Sequence, residues 1–317
     1  MDHYLSRQYE NRDMATLLRF ASEATAVRLP GLTYWNPGDV AWQLGMFPPG
    51  ADLSGHVRMW EGASGVVALA IFEPPLHFAF DLHPRLGLDT SLADDVLSWV
   101  EQRRRGIVVG GGAVPVAYQM LGESTLSTEV LESDAARISF LEIRGYVRVE
   151  RHSVRYSRDL DEPVGLAALP KGMRFRHVTD DDIEARAELH RDAWSVWGAS
   201  SFSESRYRRL RANPVYDETL DIVLESAEGN LLSYCICWFD RENGIGHFEP
   251  VGTRPAFAGQ GLGRALVMEG LRRLKERGAH TALIGTASVN EPALRTYAAC
   301  GFKLVERQYY YSRLIGP

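Results

Sequence analysis

Gly259, Gly261 and Gly263 sit between a short apolar run and a helical pattern, and this junction limits the fold more than any other segment. The run Val251-Gly-Thr253 ends two residues before Pro255. After the glycines, Leu266, Val267, Gly270, Leu271 and Leu274 share one side of a 3.6-residue period. Arg264, Arg272, Arg273, Lys275 and Arg277 take the other side, and Gly278 ends the pattern. The segment therefore reads as strand, glycine turn, helix. A helix start carries backbone N–H groups without intrahelical partners. Glycines let those donors converge and let a ligand come close to the backbone. The helix dipole adds roughly half a positive charge there. Such an end suits an anion, and a pyrophosphate fits it without a lysine. On the glycines alone, a tight turn that merely starts a helix is an equal reading. No Gly-Lys-Ser/Thr follows, which excludes a P-loop. The G-x-G-x-x-G fingerprint with a later acidic residue is also missing.

A chain of 317 residues allows one large domain or two of ordinary size, and 45% apolar residues are enough for packed cores. The net charge of −6 gives no basic footprint for nucleic acid. Apolar runs fall short of a membrane span, and the start M-D-H-Y-L-S-R-Q-Y-E has no apolar signal core. The expectation is a cytoplasmic protein without nucleic-acid or membrane partners. Cys235, Cys237 and Cys300 show no metal-ligand spacing, so no metal site is expected. They read as small buried hydrophobes.

The sequence repeats itself. Asp134-Ala-Ala-Arg-Ile-Ser-Phe-Leu-Glu-Ile-Arg-Gly-Tyr matches Asn290-Glu-Pro-Ala-Leu-Arg-Thr-Tyr-Ala-Ala-Cys-Gly-Phe, each running from an Asx residue through a short helix to Gly-aromatic. Glu150-Arg151 and Glu306-Arg307 keep the register. Two copies of one mixed-sheet α/β fold follow, residues 1–160 and 173–317, with 161–172 as linker. In the first copy a helix is expected near Asp13–Ala24, paired strands over Ser54–Glu73, a helix over Leu92–Arg104 and a strand at Gly106–Val109. In the second, strands are expected at Met173–His177, Leu220–Glu225, Leu231–Trp238, Gly246–Thr253, Thr281–Thr286 and Val305–Ser312. Helices are expected from Asp180 to Trp194, over Ser203–Ala212, and from Asn290. The counterpart of the glycine junction is Pro84-Arg-Leu-Gly-Leu-Asp89. It has one glycine, and Asp89 puts negative charge where an anion would sit, so the first copy should not bind one.

Residues Ala258 to Gly263 resemble the acyl-CoA loop R/Q-x-x-G-x-G/A of the GNAT acyltransferase superfamily, with Ala258 standing where Arg or Gln is usual. The resemblance covers nearly the whole chain and is strongest from Val251 to Phe302. It implies two tandem GNAT-like domains, the first degenerate, and acetyl-CoA or another acyl-CoA as cosubstrate. It assigns cosubstrate binding to Val251, Thr253, Gly259, Gln260, Gly261, Leu262, Gly263, Arg264 and Asn290. An N–H of Val251–Thr253 would polarise the thioester carbonyl, provided the strand splays and frees the donor. Asn290, Tyr297, Gly301 and Phe302 look like the GNAT segment in which a tyrosine sits near the CoA sulfur. Tyr297 is then the general acid, whereas the first copy has Leu141 there. A core tyrosine is the plain alternative.

Candidates for the general base come from the residues themselves. His247 and Glu249 are two apart on one strand and share a face, with Val251 next in line. An acid before Pro250 in a sheet interior is costly unless it meets water or a partner. His247 has the more suitable intrinsic pKa, but Glu249 is preferred, acting directly or through water. The basic helix Ser203–Arg211 reads more readily as a solvated face than as an acceptor site. The function expected is N-acetyl transfer to a small-molecule or peptide amine, by a monomer or homodimer. The alternatives are a silent acyl-CoA-binding sensor and a binder of some other phosphate ligand.

Overall fold

A computed structural model describes residues 4–28, 32–48, 50–106, 125–166 and 168–315. In chain order the first elements are β1 (Leu5–Gln8), α1 (Met14–Val27), α2 (Pro37–Gly45), β2 (Val57–Gly62), β3 (Gly65–Glu73), β4 (His77–Leu82), α3 (Thr90–Arg105), β5 (Thr125–Leu131) and α4 (Ala135–Ile143). They are followed by β6 (Val147–Asp159), β7 (Arg174–His177), α5 (Ile183–Trp194), α6 (Glu204–Arg211), β8 (Asp221–Glu225) and β9 (Leu231–Asp240). The last are β10 (Ile245–Thr253), α7 (Leu262–Glu276), β11 (Thr281–Ala287), α8 (Glu291–Ala299) and β12 (Lys303–Leu314). The strand expected at Gly106–Val109 lies outside the described residues apart from Gly106, which follows α3.

The chain forms two compact units, and neither is a continuous segment. Unit 1 holds Met1–Trp35, Asp52–Val154 and Glu306–Pro317; unit 2 holds Asn36–Ala51 and Arg155–Val305. The split thus differs from the contiguous partition at 160 and 173. Most of the last strand belongs to unit 1, where Gln308–Leu314 pairs antiparallel with Leu131–Thr125 of β5. The end of β6 and the helix α2 belong to unit 2. The stretch read as a linker is also anchored there: the buried Leu160 donates its N–H to the His280 carbonyl at 2.8 Å, and Arg158 donates to the Pro163 carbonyl at 3.0 Å.

Each unit has one mixed sheet. In unit 1 the strands run β1-β2-β3-β4-β5-β12, antiparallel except for β4 and β5. In unit 2 the order is β6-β11-β10-β9-β8-β7, with β10 and β11 parallel. Local chemistry is repeated as well. In unit 1, Arg7 pairs with Asp13 at 2.7 Å and with Glu61 at 2.9 Å. In unit 2, Arg176 pairs with Asp182 at 2.6 Å and with Glu225 at 3.1 Å. Asp13 and Asp182 each also close a capping box that starts the first long helix of their unit. Gly145 and Gly301, at φ +80° and +81°, end α4 and α8 in the same left-handed way.

The core of unit 2 places the glycine junction. Leu266, Val267, Leu271 and Leu274 of α7 are buried against Phe248 and Cys237. The helix lies very close to the sheet: a Cβ on Gly270 would meet Phe248 Cε1 at 2.4 Å, and one on Gly246 would meet Leu274 Cδ1 at 2.5 Å. Cys235 and Cys237 share this face with sulfurs 3.9 Å apart, both buried and free. The mixed-sheet α/β fold expected from the repeat is therefore the observed one, with α7 packed on β10.

Candidate active site

At the end of β10 the chain turns through Pro255–Phe257, where Ala258 donates its N–H to the Pro255 carbonyl at 3.1 Å. Gly259 and Gly261 follow at φ +76° and +78°, a region that L side chains rarely adopt, and a Cβ on either would meet nothing within 4 Å. Gly261 is the N-cap of α7, and no side chain caps the helix. The first intrahelical bond runs from the Ala265 N–H to the Gly261 carbonyl at 3.0 Å. The N–H groups of Leu262, Gly263 and Arg264 therefore lack intrahelical partners. Leu262 is buried and anchors the turn, whereas Gln260 and Arg264 are exposed. Gly263 keeps the helix start against the strand, since a Cβ there would lie 3.4 Å from Thr253 Oγ1. The Ala258 side chain is exposed and takes no part.

Beside this helix end the sheet opens. β10 and β11 pair from Ile245↔Thr281 to Phe248↔Ile284 and no further, although both strands continue. On its other edge β10 stays paired with β9 through a bulge, since Phe248 faces Cys237 and Val251 faces Cys235. The Arg254 N–H donates to the Leu232 carbonyl of β9 at 2.9 Å. Alternation along the strand then aims the N–H groups of Val251 and Thr253 away from β9, into the opening. The strands thus splay here, and these donors have no partner on β11. The bulge also reverses one expectation. Val251 packs with Phe248 on the α7 face, so it does not share the side of His247 and Glu249. The residue that crosses to that side is Gly252, where a Cβ would meet Tyr234 Cε1 at 2.5 Å and Ala193 Cβ at 2.9 Å.

Tyr297 lies on α8 and is buried among Tyr156 and Phe302, each ring 6.2 Å away. Burial, with the Glu249 charge adding to it, holds its phenol proton well above the ordinary range. Glu249 is half-buried and its side chain makes no hydrogen bond among the described residues. Burial, and then the nearby Asp39 carboxylate, push its pKa up to about 8. His247 is buried, and burial lowers its pKa, partly opposed by Asp39. Its Nδ1 sits 3.4 Å from Asp39 Oδ1. The structure thus brings a phenol, a carboxyl group and an imidazole together at the strand that feeds the glycine junction. Asn290 caps α8 through the Ala293 N–H at 3.4 Å, and its Nδ2 donates to Thr286 Oγ1 at 2.9 Å. Ordinary capping explains its place.

Asp39 went unrecognised in the sequence, although a local signal marks it. Asn36-Pro-Gly-Asp39 is a capping box with proline at the first helical position, and it marks the start of α2. A second group escaped notice on α5 and β9. Tyr234 Oη accepts from Trp194 Nε1 at 2.8 Å and lies 2.7 Å from His190 Nδ1. His190 stacks on Phe202 at 4.1 Å, and burial drives its pKa down to about 2, so it stays neutral. Three of the four arginines of α6 are engaged within the chain: Arg206 holds the Ser201 carbonyl at 2.9 Å, Arg209 the Phe47 carbonyl at 3.3 Å, and Arg211 pairs with Asp180 at 2.7 Å.

Unit 1 shows the same architecture closed. Asp89 caps α3 by accepting from the Ser91 and Leu92 N–H groups at 3.0 and 3.1 Å, and Tyr4 donates to it at 3.0 Å. A carboxylate of the chain itself occupies the donors that unit 2 leaves open. β4 and β5 pair only at His77↔Ser127, so this sheet also splays. Here Arg137 of α4 reaches the Phe80 carbonyl at 2.9 Å and Asp81 at 3.3 Å, with Arg28 on Asp81 at 2.6 Å. Leu141, at the Tyr297 position, is fully buried. Among the described residues no group of three or more His, Cys, Asp or Glu could hold a metal ion, and no helix is long and apolar enough to cross a membrane.

Comparison with known proteins agrees with this fold. Residues 184–302 match the acetyltransferase (GNAT) family. Mycothiol acetyltransferase of Kineococcus radiotolerans is 30% identical over 68% of this chain and 66% of its own length. That of Mycobacterium marinum is 28% identical over 70% of this chain and 74% of its own. That of Saccharomonospora viridis matches over 50% of its length, so the chain spans between half and three quarters of these relatives. Among solved structures, a tandem GNAT protein from the clavulanic acid biosynthesis pathway superposes with TM-score 0.67 at 17% identity, covering 99% of both chains. A GCN5-related N-acetyltransferase from Sphaerobacter thermophilus gives 0.63 at 18% identity, covering 99% of this chain and 96% of its own.

Proposed function

Because its C-terminal half carries an acetyltransferase domain of the GNAT family, we propose that this protein transfers an acetyl group from acetyl-CoA to an amine, and that unit 2 alone performs the chemistry. The observation that carries the reading is the uncapped start of α7, open at Gly259 and Gly261, beside the splay of β10 and β11. Backbone donors of Gly261–Arg264 suit the pyrophosphate of the cosubstrate. A side-chain contact from position 258 is missing, which weakens binding without abolishing it. The N–H groups of Val251 and Thr253 suit the thioester oxygen, where preorganised donors lower the barrier most.

In this reading Tyr297 returns a proton to the departing thiolate. Its raised pKa keeps the phenol protonated until a strong base is generated beside it. Glu249, near pKa 8, takes a proton from the amine directly or through one water. The name of the relatives makes the mycothiol system the first place to seek the acceptor. Titration of acetyl-CoA by calorimetry tests the cosubstrate site. Release of free thiol with a panel of small amines tests turnover. Absence of acetyl-CoA binding refutes the proposal. Binding without thiol release on any amine favours the acyl-CoA sensor, a reading that Ala258 also supports.

A further inference from the structure

Helix α2 is drawn from before residue 52, yet it belongs to unit 2 and brings a carboxylate to the strand of His247 and Glu249. Its position is closely fixed. A Cβ on Gly38 would lie 2.4 Å from Trp238 Cβ, and Trp42 stacks on Phe202 at 5.9 Å. Asn36 Oδ1 accepts from the Gly38 and Asp39 N–H groups at 2.8 and 3.2 Å, and Asp39 Oδ2 accepts from the Asn36 N–H at 2.8 Å. This reciprocal cap occupies Oδ2 and leaves Oδ1 toward His247 Nδ1, 3.4 Å away. That nitrogen is buried and makes no hydrogen bond, and the separation is ion-pair contact just outside hydrogen-bond geometry. The His247 side chain keeps 11% exposure, which leaves the far edge of the ring, with Nε2, on the accessible side.

The chemistry requires more than one acceptor. An amine arrives at neutral pH mostly as its ammonium, and making an amide from it strips two protons from nitrogen. One ends on the thiol and one in water. Glu249 can hold only one at a time.

We propose that Asp39 is a positioning residue that holds His247 as the Nδ1–H tautomer, so that Nε2 takes the first proton of the acceptor ammonium. The inference rests on the acetyl transfer proposed above. The ammonium N–H bond breaks toward Nε2, and the imidazolium so formed faces the Asp39 charge. The freed nitrogen pair forms the C–N bond, the C–S bond breaks, and Tyr297 protonates the sulfur. Glu249 takes the second N–H proton and returns it to Tyr297, while His247 releases its proton to water. The products are one amide, one thiol and one proton. The groups that face this pair are Asp39 of α2, Arg155 of β6, Tyr234 of β9, Tyr297 of α8 and Glu249 on the same strand. Arg155 opposes the imidazolium and Asp39 favours it.

The test uses the full chain labelled with ¹⁵N-histidine, with the His247 signals assigned by H247Q. The expected native tautomer is Nδ1–H. D39N keeps an acceptor oxygen and should keep that tautomer, whereas D39A should shift it toward Nε2–H. With acetyl-CoA KM within about twofold of native, kcat of D39A at pH 7 should fall about 100-fold or more, and D39N, without the charge, should move the acidic limb of the pH profile. A native Nε2–H tautomer overturns the proposal, as does an unchanged kcat and pH profile in D39A. The NMR readout stands apart from turnover: the expected tautomers without acetyl transfer to any amine overturn the functional reading and the proton-acceptor role while the pairing itself stands.

Discussion

Replacing Gly261 by Asp copies into unit 2 the feature that closes unit 1, and the structure allows its effects to be separated. Gly261 has φ +78° and open space where a Cβ would go, so the substitution costs left-handed backbone strain of about 1 kcal/mol rather than a clash. The left-handed backbone at 261 differs from the extended backbone from which Asp89 caps α3, so an aspartate there regains only part of this, through the helix dipole. Stability should therefore change by less than about 1 kcal/mol, a Tm shift of no more than about 4 °C. Binding is another matter. A carboxylate about 4 Å from a bound phosphate costs about 1 kcal/mol in bulk water and about 4 kcal/mol at an effective dielectric of about 20. At this half-open helix end roughly 2–3 kcal/mol is reasonable, a loss of about 30- to 150-fold in Kd. G261A carries the strain without the charge and should lose much less. Calorimetric titration of acetyl-CoA into native, G261A and G261D protein reads all three. Native affinity in a folded G261D would refute the claim that phosphate sits on the amides of α7.

Three further outcomes follow from the geometry. Y297F should cut kcat by about 100-fold or more while acetyl-CoA affinity holds, because it removes a proton and little packing; steady-state kinetics with a parallel titration checks this. Glu249 has a folded pKa of about 8 against an ordinary 4.5, so the stability due to its protonated form is complete below about 4.5 and is lost as pH rises through 8. E249Q lacks that loss, and its Tm should exceed the native value at pH 9 and converge with it near pH 4, while kcat falls. Deleting residues 306–317 removes the partner of β5 along Gln308–Leu314 and takes Tyr309, Tyr311 and Ile315 out of the unit 1 core. Amide exchange should then be fast across β2 to β5, and native-like protection there would contradict the assignment of this strand to unit 1.

The glycine junction was legible because its signals are local. The period of α7, its stop at Gly278 and the left-handed glycines before it all depend on neighbours in sequence, and the structure has them where expected. The repeat carried further still, since the caps at Asp134 and Asn290 and the turns at Gly145 and Gly301 match in geometry. What was missed is non-local. β4, His77-Phe-Ala-Phe-Asp-Leu82, alternates but went unassigned, and its polar side is buried as well, with Asp81 held by Arg28 and Arg137 from distant parts of the chain. β12 follows the second copy in sequence but pairs with β5 in unit 1, and nothing in its residues states that choice. The face of Val251 depended on a bulge, which flips the side-chain parity of every later residue on the strand. Asp39 could be recognised as a cap, but its second oxygen finds His247 only once α2 is packed.

Why one copy is open and the other closed follows from which groups each can satisfy. A bare helix start and a splayed strand leave backbone donors and acceptors without partners, at about 1 kcal/mol or more for each one left buried. Unit 1 avoids this twice, with Asp89 on the α3 amides and Arg137 on the Phe80 carbonyl. Three residues after the N-cap of α8, where unit 1 has Arg137 after Asp134, unit 2 has Ala293 after Asn290. Arg137 depends on Asp81 as its buried counter-charge. Asp81 stands three residues before Pro84, and the residue three before Pro255 is Gly252. No carboxylate can be placed there, because even a Cβ would run into the Tyr234 ring at 2.5 Å and Ala193 at 2.9 Å. An arginine at position 293 would thus be a buried cation without its acid, which costs more than the open carbonyl it might cover. The Tyr234 ring that forbids the plug is itself held between Trp194 and His190. The aromatic packing of α5 on Tyr234 therefore rules out, at Gly252, the counter-charge that unit 1 places at Asp81.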